Sequence, residues 1–528
     1  MNLPFSRVEQ FVLAAAVEAP DRAAVIGVDQ QLSYGELATL CEHYAGQLNG
    51  AGYRRSDRVL CALPATPSAI ALLCALWRGG LVYVPVNPHL PPARLQALIE
   101  SADPALLLNA TGQPWSELSQ RPCGSLIGTQ LSVDSVPSRS RVEGPVLDSD
   151  LSHIIFTSGT TGQPKGIMMS HRAVLSFFHG MTASVPLGNE DRVGSIAPLH
   201  FDFSLLDLGM ASGHGATLVQ VPALLPHHPR AFLDYLRDKA VTQMQGVPSI
   251  WRTVIAQALD GLATLPRLRT LLYGGEAFSA EEINRLHRAH PTLRIINTFG
   301  QTESIACSFL ALDLPLDEQG PGVPFGPAHP LAQLLLLDEQ GHAVADGQTG
   351  EVYLRGSSLF SGYWRDPAAT QARLVSNPLA PDHQELLLRS GDLAQCIGPG
   401  QYVFKGRRDL QVKIQGNRVE VEEIERLLCA HPDLTGACVV PVAGAQGLQL
   451  AAALVAKAGV DDNLLPRLRE HLANNLPRYM LPSLFETLGA LPVMASGKLD
   501  RRAVIQHFEA CLDHPPTRNG LHEPDHAL

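Results

Sequence analysis

Apolar and polar positions follow two rhythms along this chain, and the switching between them predicts layered α/β structure. Asp57–Leu63 and Leu81–Val86 are short runs, apolar on successive residues, as strands buried on both faces are. Between them, Ser68–Trp77 is an apolar stretch of helical length. The same order returns as a strand over Leu268–Gly275 and a helix over Glu281–His290. Repeated strand–helix–strand order predicts parallel sheet crossed right-handedly by helices. Strand-rich sequence follows at Ala332–Asp338 and Gly350–Gly356, whereas Gln120–Gly144 is rich in Ser, Pro and Gly without a period and reads as loop. A break at Gly406–Asp409 opens a compact α+β segment with a helix over Glu420–Leu428. The expected architecture is a large α/β N-terminal domain of layered sheets and helices over 1–408. A small α+β C-terminal domain follows over 409–505, then a disordered tail over 506–528.

Composition narrows the class. The 528 residues are 45% hydrophobic, ordinary for a globular core, and carry a net charge of −11 without a long basic run. That balance argues against nucleic acid as the main partner. The longest apolar stretch, Ser68–Trp77, is too short to span a bilayer, so no membrane role is expected. The start, Met1–Arg7, lacks the charged and then apolar pattern of a signal peptide. The nine cysteines form no CxxC pair and read as reduced thiols. A cytoplasmic location follows as the expectation.

Thr157–Gly166 holds the densest chemistry: three glycines, four hydroxyl side chains and Lys165 within ten positions. Glycines admit close approach of an anion, hydroxyls and amides donate to phosphoryl oxygens, and the lysine adds charge. Ser152–Phe156 before it reads as a buried strand, and Ser170–Phe178 after it as a helix opened by a Ser cap. The expectation is therefore a strand–loop–helix phosphate cradle. The residue order does not fit a Walker A loop, which places Gly-Lys-Ser/Thr directly at its helix.

The spelling closely resembles the phosphate loop of the ANL adenylating enzymes: acyl-CoA synthetases, amino-acid adenylation domains and luciferases. Further motifs follow in that family's order, from about residue 10 to about residue 505, and the chain most resembles a free-standing amino-acid adenylation domain of nonribosomal peptide synthesis. The resemblance implies ATP and Mg²⁺. Thr157, Ser158, Gly159, Thr160, Thr161, Gly162 and Lys165 would hold the phosphates. Gly274, Gly275 and Glu276 would form the adenine-side loop. In Asn297–Glu303, Phe299 beside Gly300 can stack on a purine, Asn297 lines the same site and Thr302 can donate to a phosphate. Glu303 is a hard oxygen ligand suited to Mg²⁺. Asp392 would grip the ribose and Arg407 the ribose or phosphate. Asp409 would be the hinge of a mobile small domain, and Lys498 the catalytic lysine, in Gly-Lys-Leu-Asp-Arg. Thioester formation would instead present the Val412–Val419 face, with Gly416 beside a pantetheine arm. Phe299 stands where Tyr is usual, and Ser496 where Asn is commoner.

Leu199–Leu208 resembles the amino-acid adenylation motif rather than the fatty-acyl one, which implies that Asp202 pairs with a substrate's α-ammonium. Asp-x-x-Leu is also a common helix start, so a helix-capping role for Asp202 stays open. The resemblance places Phe203, Leu206, Gln245, Leu272, Gly274, Thr298, Ala306 and Cys307 around the substrate's side chain. None is charged, so a small neutral amino acid fits, glycine-like on some positions and threonine-like on others. No Gly-Gly-x-Ser motif follows Lys498, which makes a separate phosphopantetheinyl carrier protein the expected acceptor. An acyl- or aryl-CoA ligase using free coenzyme A is the rival enzyme. A non-catalytic nucleotide-binding protein is disfavoured by intact Lys165, Glu303, Asp392, Arg407 and Lys498.

Overall fold

Buried strands lead into amphipathic or fully buried helices through most of the chain. A computed structural model describes residues 5–111, 115, 120–136, 144–159, 164–444, 446–461, 463–494 and 498–513. The chain divides between Asp409 and Leu410 into two compact units, with Ser158 and Gly159 grouped with the smaller.

Two eight-stranded sheets and one antiparallel sheet build the larger unit. The first sheet has a parallel centre, Arg294–Phe299, Thr270–Gly274, Gln243–Gly246, Arg192–Ser195, Thr217–Gln220 and Ala23–Ile26, with antiparallel strands at both edges. The second centres on Val82–Pro85, Arg58–Ala62 and Leu106–Asn109, again parallel. Helices Pro67–Arg78 and His171–Ser184 contribute Trp77, Phe177 and Phe178, all fully buried, to one large core shared by these sheets. The opposite face of the first sheet has its own core, of Met244, Leu271, Tyr273 and Ile295 under helices that include Pro248–Gln257 and Ala280–Ala289. Alternation along each strand therefore sends neighbouring residues to different cores.

In the smaller unit, Leu434–Gly444, Gly447–Ala456 and Leu484–Thr487 form a three-stranded sheet with helix Val421–Cys429 packed on it. A separate hairpin pairs Gln411–Ile414 with Asn417–Glu420 and turns through Gln415 and Gly416, both at positive φ.

Three expectations are corrected. The stretch read as loop contains a hairpin, Cys123–Ile127 paired with Gln130–Val133. Gly124 marks close packing rather than a loop: a Cβ there would collide with the Ser132 carbonyl oxygen and Leu108. The phosphate loop is not followed by a helix. Lys165–Ser170 is a strand antiparallel to Leu151–Thr157, with Thr157 opposite Lys165, and only then does a helix begin, capped by Ser170. The β-prone run Ile167-Met-Met169 explains the extra strand. The segment read as a tail from residue 506 is helical as far as Asp513, because Val504 and Phe508 are buried on the small unit's second core; residues 514–528 lie outside the described ones. All nine cysteines are free thiols. Among the described residues no helix is long and apolar enough to cross a membrane.

Candidate active site

The strand register gathers most of the expected pocket residues on one sheet face. Gln245 lies opposite Leu272, and Gly274 opposite Thr298. On that face Leu272 joins the large core with Leu206, Ala306 and Cys307, and Phe203 packs against it. Gly274 must lack a side chain, since a Cβ would meet Thr298 and come within 3.2 Å of the Phe203 ring. Thr298 donates its hydroxyl to the Ser308 carbonyl at 2.9 Å, and the Phe203 ring stacks on Phe201 at 5.8 Å. Both side-chain amide atoms of Gln245 are buried without a hydrogen-bond partner among the described residues.

Asp202 is 6% exposed and immediately precedes helix Phe203–Ser212. Its backbone carbonyl accepts from the Leu205 amide at 3.0 Å, yet its carboxylate makes no capping hydrogen bond to the helix. The capping role left open by the sequence is thus not the one the side chain plays. The chain then turns tightly past Glu303. Ile305 adopts a φ of +62°, a strained choice for a β-branched residue. Gly300 has no room for a Cβ against Ala306, which lets the Cys307 amide reach the Phe299 carbonyl at 2.8 Å.

Around the phosphate loop, Thr160, Thr161 and Gly162 lie outside the described residues. Ser158 is buried, and Thr157 is half-buried at its strand end. Lys165 places its ammonium 5.9 Å from the Tyr363 ring centroid, and the Tyr363 hydroxyl donates to Glu303 Oε1 at 2.7 Å. Tyr363 sits opposite Ile167 across the sheet, so one tyrosine ties the expected lysine to the expected metal ligand. Sequence reasoning missed it; the two-residue strand Gly362–Tyr363 is too short to offer a periodic signal.

The residues expected on the adenine side form structural ties. Glu276 accepts from the Ser249 amide at 3.0 Å and from Arg252 at 3.4 Å, bracing the start of helix Pro248–Gln257. Gly275 takes a positive φ, while the Asn297 amide donates to the Pro324 carbonyl at 2.8 Å. One face of Phe299 is already covered by Phe325, stacked at 4.2 Å. Thr302 is buried next to Glu303.

Asp392 and Arg407 face each other across antiparallel strands and are hydrogen-bonded. The same guanidinium donates to Asp409 at 2.7 and 3.0 Å, and Arg373 reaches Asp409 at 3.2 Å. Burial by itself would raise the Asp409 carboxyl, but the hydrogen bond and charge of Arg407, with Arg373, hold it below the usual carboxylate range. Arg373 is a second member missed by sequence reading.

Lys498 is exposed in the smaller unit, where its carbonyl accepts from the Met494 amide at 2.7 Å and Val493 bridges Leu499. It lies three residues before helix Arg501–Asp513.

Asp207, one turn beyond Phe203, is buried, accepts from Ser195 at 2.5 Å, and has its carboxyl pushed up to about 8 by desolvation. The folded state therefore keeps a proton that the unfolded chain loses near pH 4. This contribution to stability is complete below about pH 4 and is lost as pH rises through about 8. Chemical unfolding from pH 4 to 9 should show that loss in the native protein, and Asp207→Asn should remove it.

Residues 12–364 match the AMP-binding enzyme family, and 423–498 match the AMP-binding enzyme C-terminal domain. The chain is 31% identical over 504 residues to the L-proline–[L-prolyl-carrier protein] ligase of Pseudomonas fluorescens, covering 93% of this chain and 97% of that one. The crystal structure of IdnL1 is 39% identical, with a TM-score of 0.85 over 93% of this chain and 99% of its own. PA1221, a nonribosomal peptide synthetase protein containing adenylation and PCP domains, is 25% identical with a TM-score of 0.80, over 95% of this chain and 84% of its own.

Proposed function

The chain belongs to the AMP-binding enzyme family as an adenylate-forming ligase that uses ATP and Mg²⁺, and we propose that it activates a small neutral amino acid and transfers it to the phosphopantetheine thiol of a separate carrier protein. The observation that carries this reading is Asp202, a buried acid at the start of the helix that presents Leu206 to the pocket. A substrate ammonium is the cation such a group suits. The similarity to the proline–carrier protein ligase and to PA1221, with its PCP domain, points to the same class of substrate and acceptor.

In the first half-reaction a carboxylate oxygen of the amino acid bonds to the α-phosphorus of ATP as the bond to pyrophosphate breaks. In the second, the carrier thiolate attacks the acyl carbonyl and AMP leaves. Catalysis here is positioning and electrostatics. Asp202 fixes the amine end, Lys165 orients phosphoryl oxygens, Asp392 and Arg407 hold the ribose, and Lys498 stabilises charge developing at the α-phosphate. Glu303, a hard carboxylate oriented by Tyr363, fits Mg²⁺, and Thr302 precedes it in the chain. When bound, that ion neutralises charge on the departing pyrophosphate. Asp409, the last residue of the larger unit, is the proposed hinge.

Within the pocket, uncharged walls exclude acidic and basic side chains, leaving glycine, threonine and, from the proline ligase, proline. ATP–pyrophosphate exchange across the twenty amino acids plus aryl and fatty acids decides among them. Exchange with one small neutral amino acid supports the proposal; exchange with a non-amino acid alone replaces it with a CoA ligase.

Tyr363→Phe should lower kcat/KM for exchange by about tenfold and raise the Mg²⁺ concentration needed for half-maximal rate. A hydrogen bond to a charged carboxylate contributes ~1.5 kcal/mol or more. A magnesium titration of the exchange rate checks it.

A further inference from the structure

On the smaller unit, three side chains with no part in adenylation converge. His507 and Cys511 stand one helical turn apart on helix Arg501–Asp513, at the i, i+4 spacing that puts both on one face. Glu486, on strand Leu484–Thr487, faces them. His507 Nε2 lies 2.7 Å from Glu486 Oε2, Cys511 Sγ lies 3.8 Å from the same oxygen, and the three donor atoms all fall within 4.8 Å of one another. We propose that Glu486, His507 and Cys511 form a binding site for a divalent transition-metal ion, with Zn²⁺ the best fit.

The argument rests on donor type and spacing. One imidazole nitrogen, one carboxylate oxygen and one thiol sulfur are the ligands that borderline-soft Zn²⁺ takes, whereas Mg²⁺ and Ca²⁺ want oxygen alone. Tetrahedral bonds of about 2.0 to 2.3 Å set donors roughly 3.3 to 3.7 Å apart. The His507–Glu486 gap must open by about half an ångström and the widest gap must close by about one, within reach of side-chain rotation alone. On binding, the Cys511 thiol releases its proton to solvent, and His507 keeps its ring proton on Nδ1 so that the Nε2 lone pair exchanges its hydrogen bond to Glu486 for the metal bond. Three protein donors leave the fourth position to water. The site pins strand Leu484–Thr487 to the helix that begins just after Lys498, so the ion would stiffen that helix without touching the reacting groups.

The test uses the full chain, freed of metal, with Zn²⁺ and Co²⁺ as probes. Zn²⁺ should slow alkylation of Cys511 by roughly tenfold or more while leaving the exposed Cys429 unchanged, read by peptide mass mapping. Co²⁺ should give a thiolate-to-metal charge-transfer band that is lost in Cys511→Ser, and His507→Gln should weaken binding by roughly tenfold or more. Because alkylation is read on the unmodified protein, a variant that misfolds does not remove the test. Equal alkylation of Cys511 with and without saturating Zn²⁺ overturns the proposal. So does a cobalt band that survives Cys511→Ser.

Discussion

Replacing Asp202 with asparagine is expected to cut kcat/KM for the amino acid by about a hundredfold to a thousandfold, with the KM for ATP unchanged. The substitution keeps the volume and removes the charge. Asp202 is 6% exposed, so a substrate ammonium meeting it does so largely away from water. Breaking one partner of a buried ion pair costs about 3 to 5 kcal/mol, and each ~1.4 kcal/mol is a factor of ten. Since its carboxylate does not cap helix Phe203–Ser212, the helix loses no cap and the folded protein should persist. A paired measurement sharpens the reading. The native enzyme should discriminate strongly between an amino acid and the same acid without its amine, and Asp202→Asn should nearly erase that preference. Unchanged exchange in a folded Asp202→Asn protein would mean that the substrate carries no ammonium, which is the CoA-ligase reading.

The sequence exposed what depends on local pattern, and concealed what depends on contact. Arg58–Ala62, Pro67–Arg78 and Val82–Pro85 lie within a residue or two of where apolar rhythm put them, because buried strands and helices must be apolar on the faces they bury. The hairpin Cys123–Ile127 and Gln130–Val133 was invisible because its pairing needs a glycine for close approach, and glycine reads as loop when the neighbour is unknown. The strand Lys165–Ser170 hid behind the expectation that a phosphate loop leads into a helix. Motif spelling singled out Asp202, Lys165 and Glu303, but not the tyrosine that ties the last two together, since Tyr363 is distant in sequence and meets them only through pairing with Ile167. Arg373 was missed for the same reason: its tie to Asp409 is tertiary. Asp207 looked like any helical acid until desolvation set its proton.

Lys498→Ala should reduce the exchange rate by about a hundredfold to a thousandfold, the range seen when one preorganised donor to developing charge is removed. The loss should fall on kcat rather than on KM, because the ammonium is asked to act on charge that appears only as the α-phosphate reacts. Stability should not move: the Lys498 side chain is exposed, its backbone carbonyl rather than its side chain accepts from the Met494 amide, and exposed substitutions of this kind are nearly neutral. Unchanged thermal unfolding beside a large rate loss therefore separates a catalytic role from a structural one. Supplying chemically made aminoacyl-adenylate divides the reaction further. If Lys498 serves adenylation alone, the variant should transfer the aminoacyl group to carrier thiol at the native rate, since the thiolate attacks a carbonyl already activated. If both half-reactions fall together, Lys498 acts on the nucleotide in each and the division of labour between it and the Gln411–Glu420 hairpin fails. Full exchange in Lys498→Ala would remove the lysine from the chemistry and leave the α-phosphate charge to Lys165 and Mg²⁺.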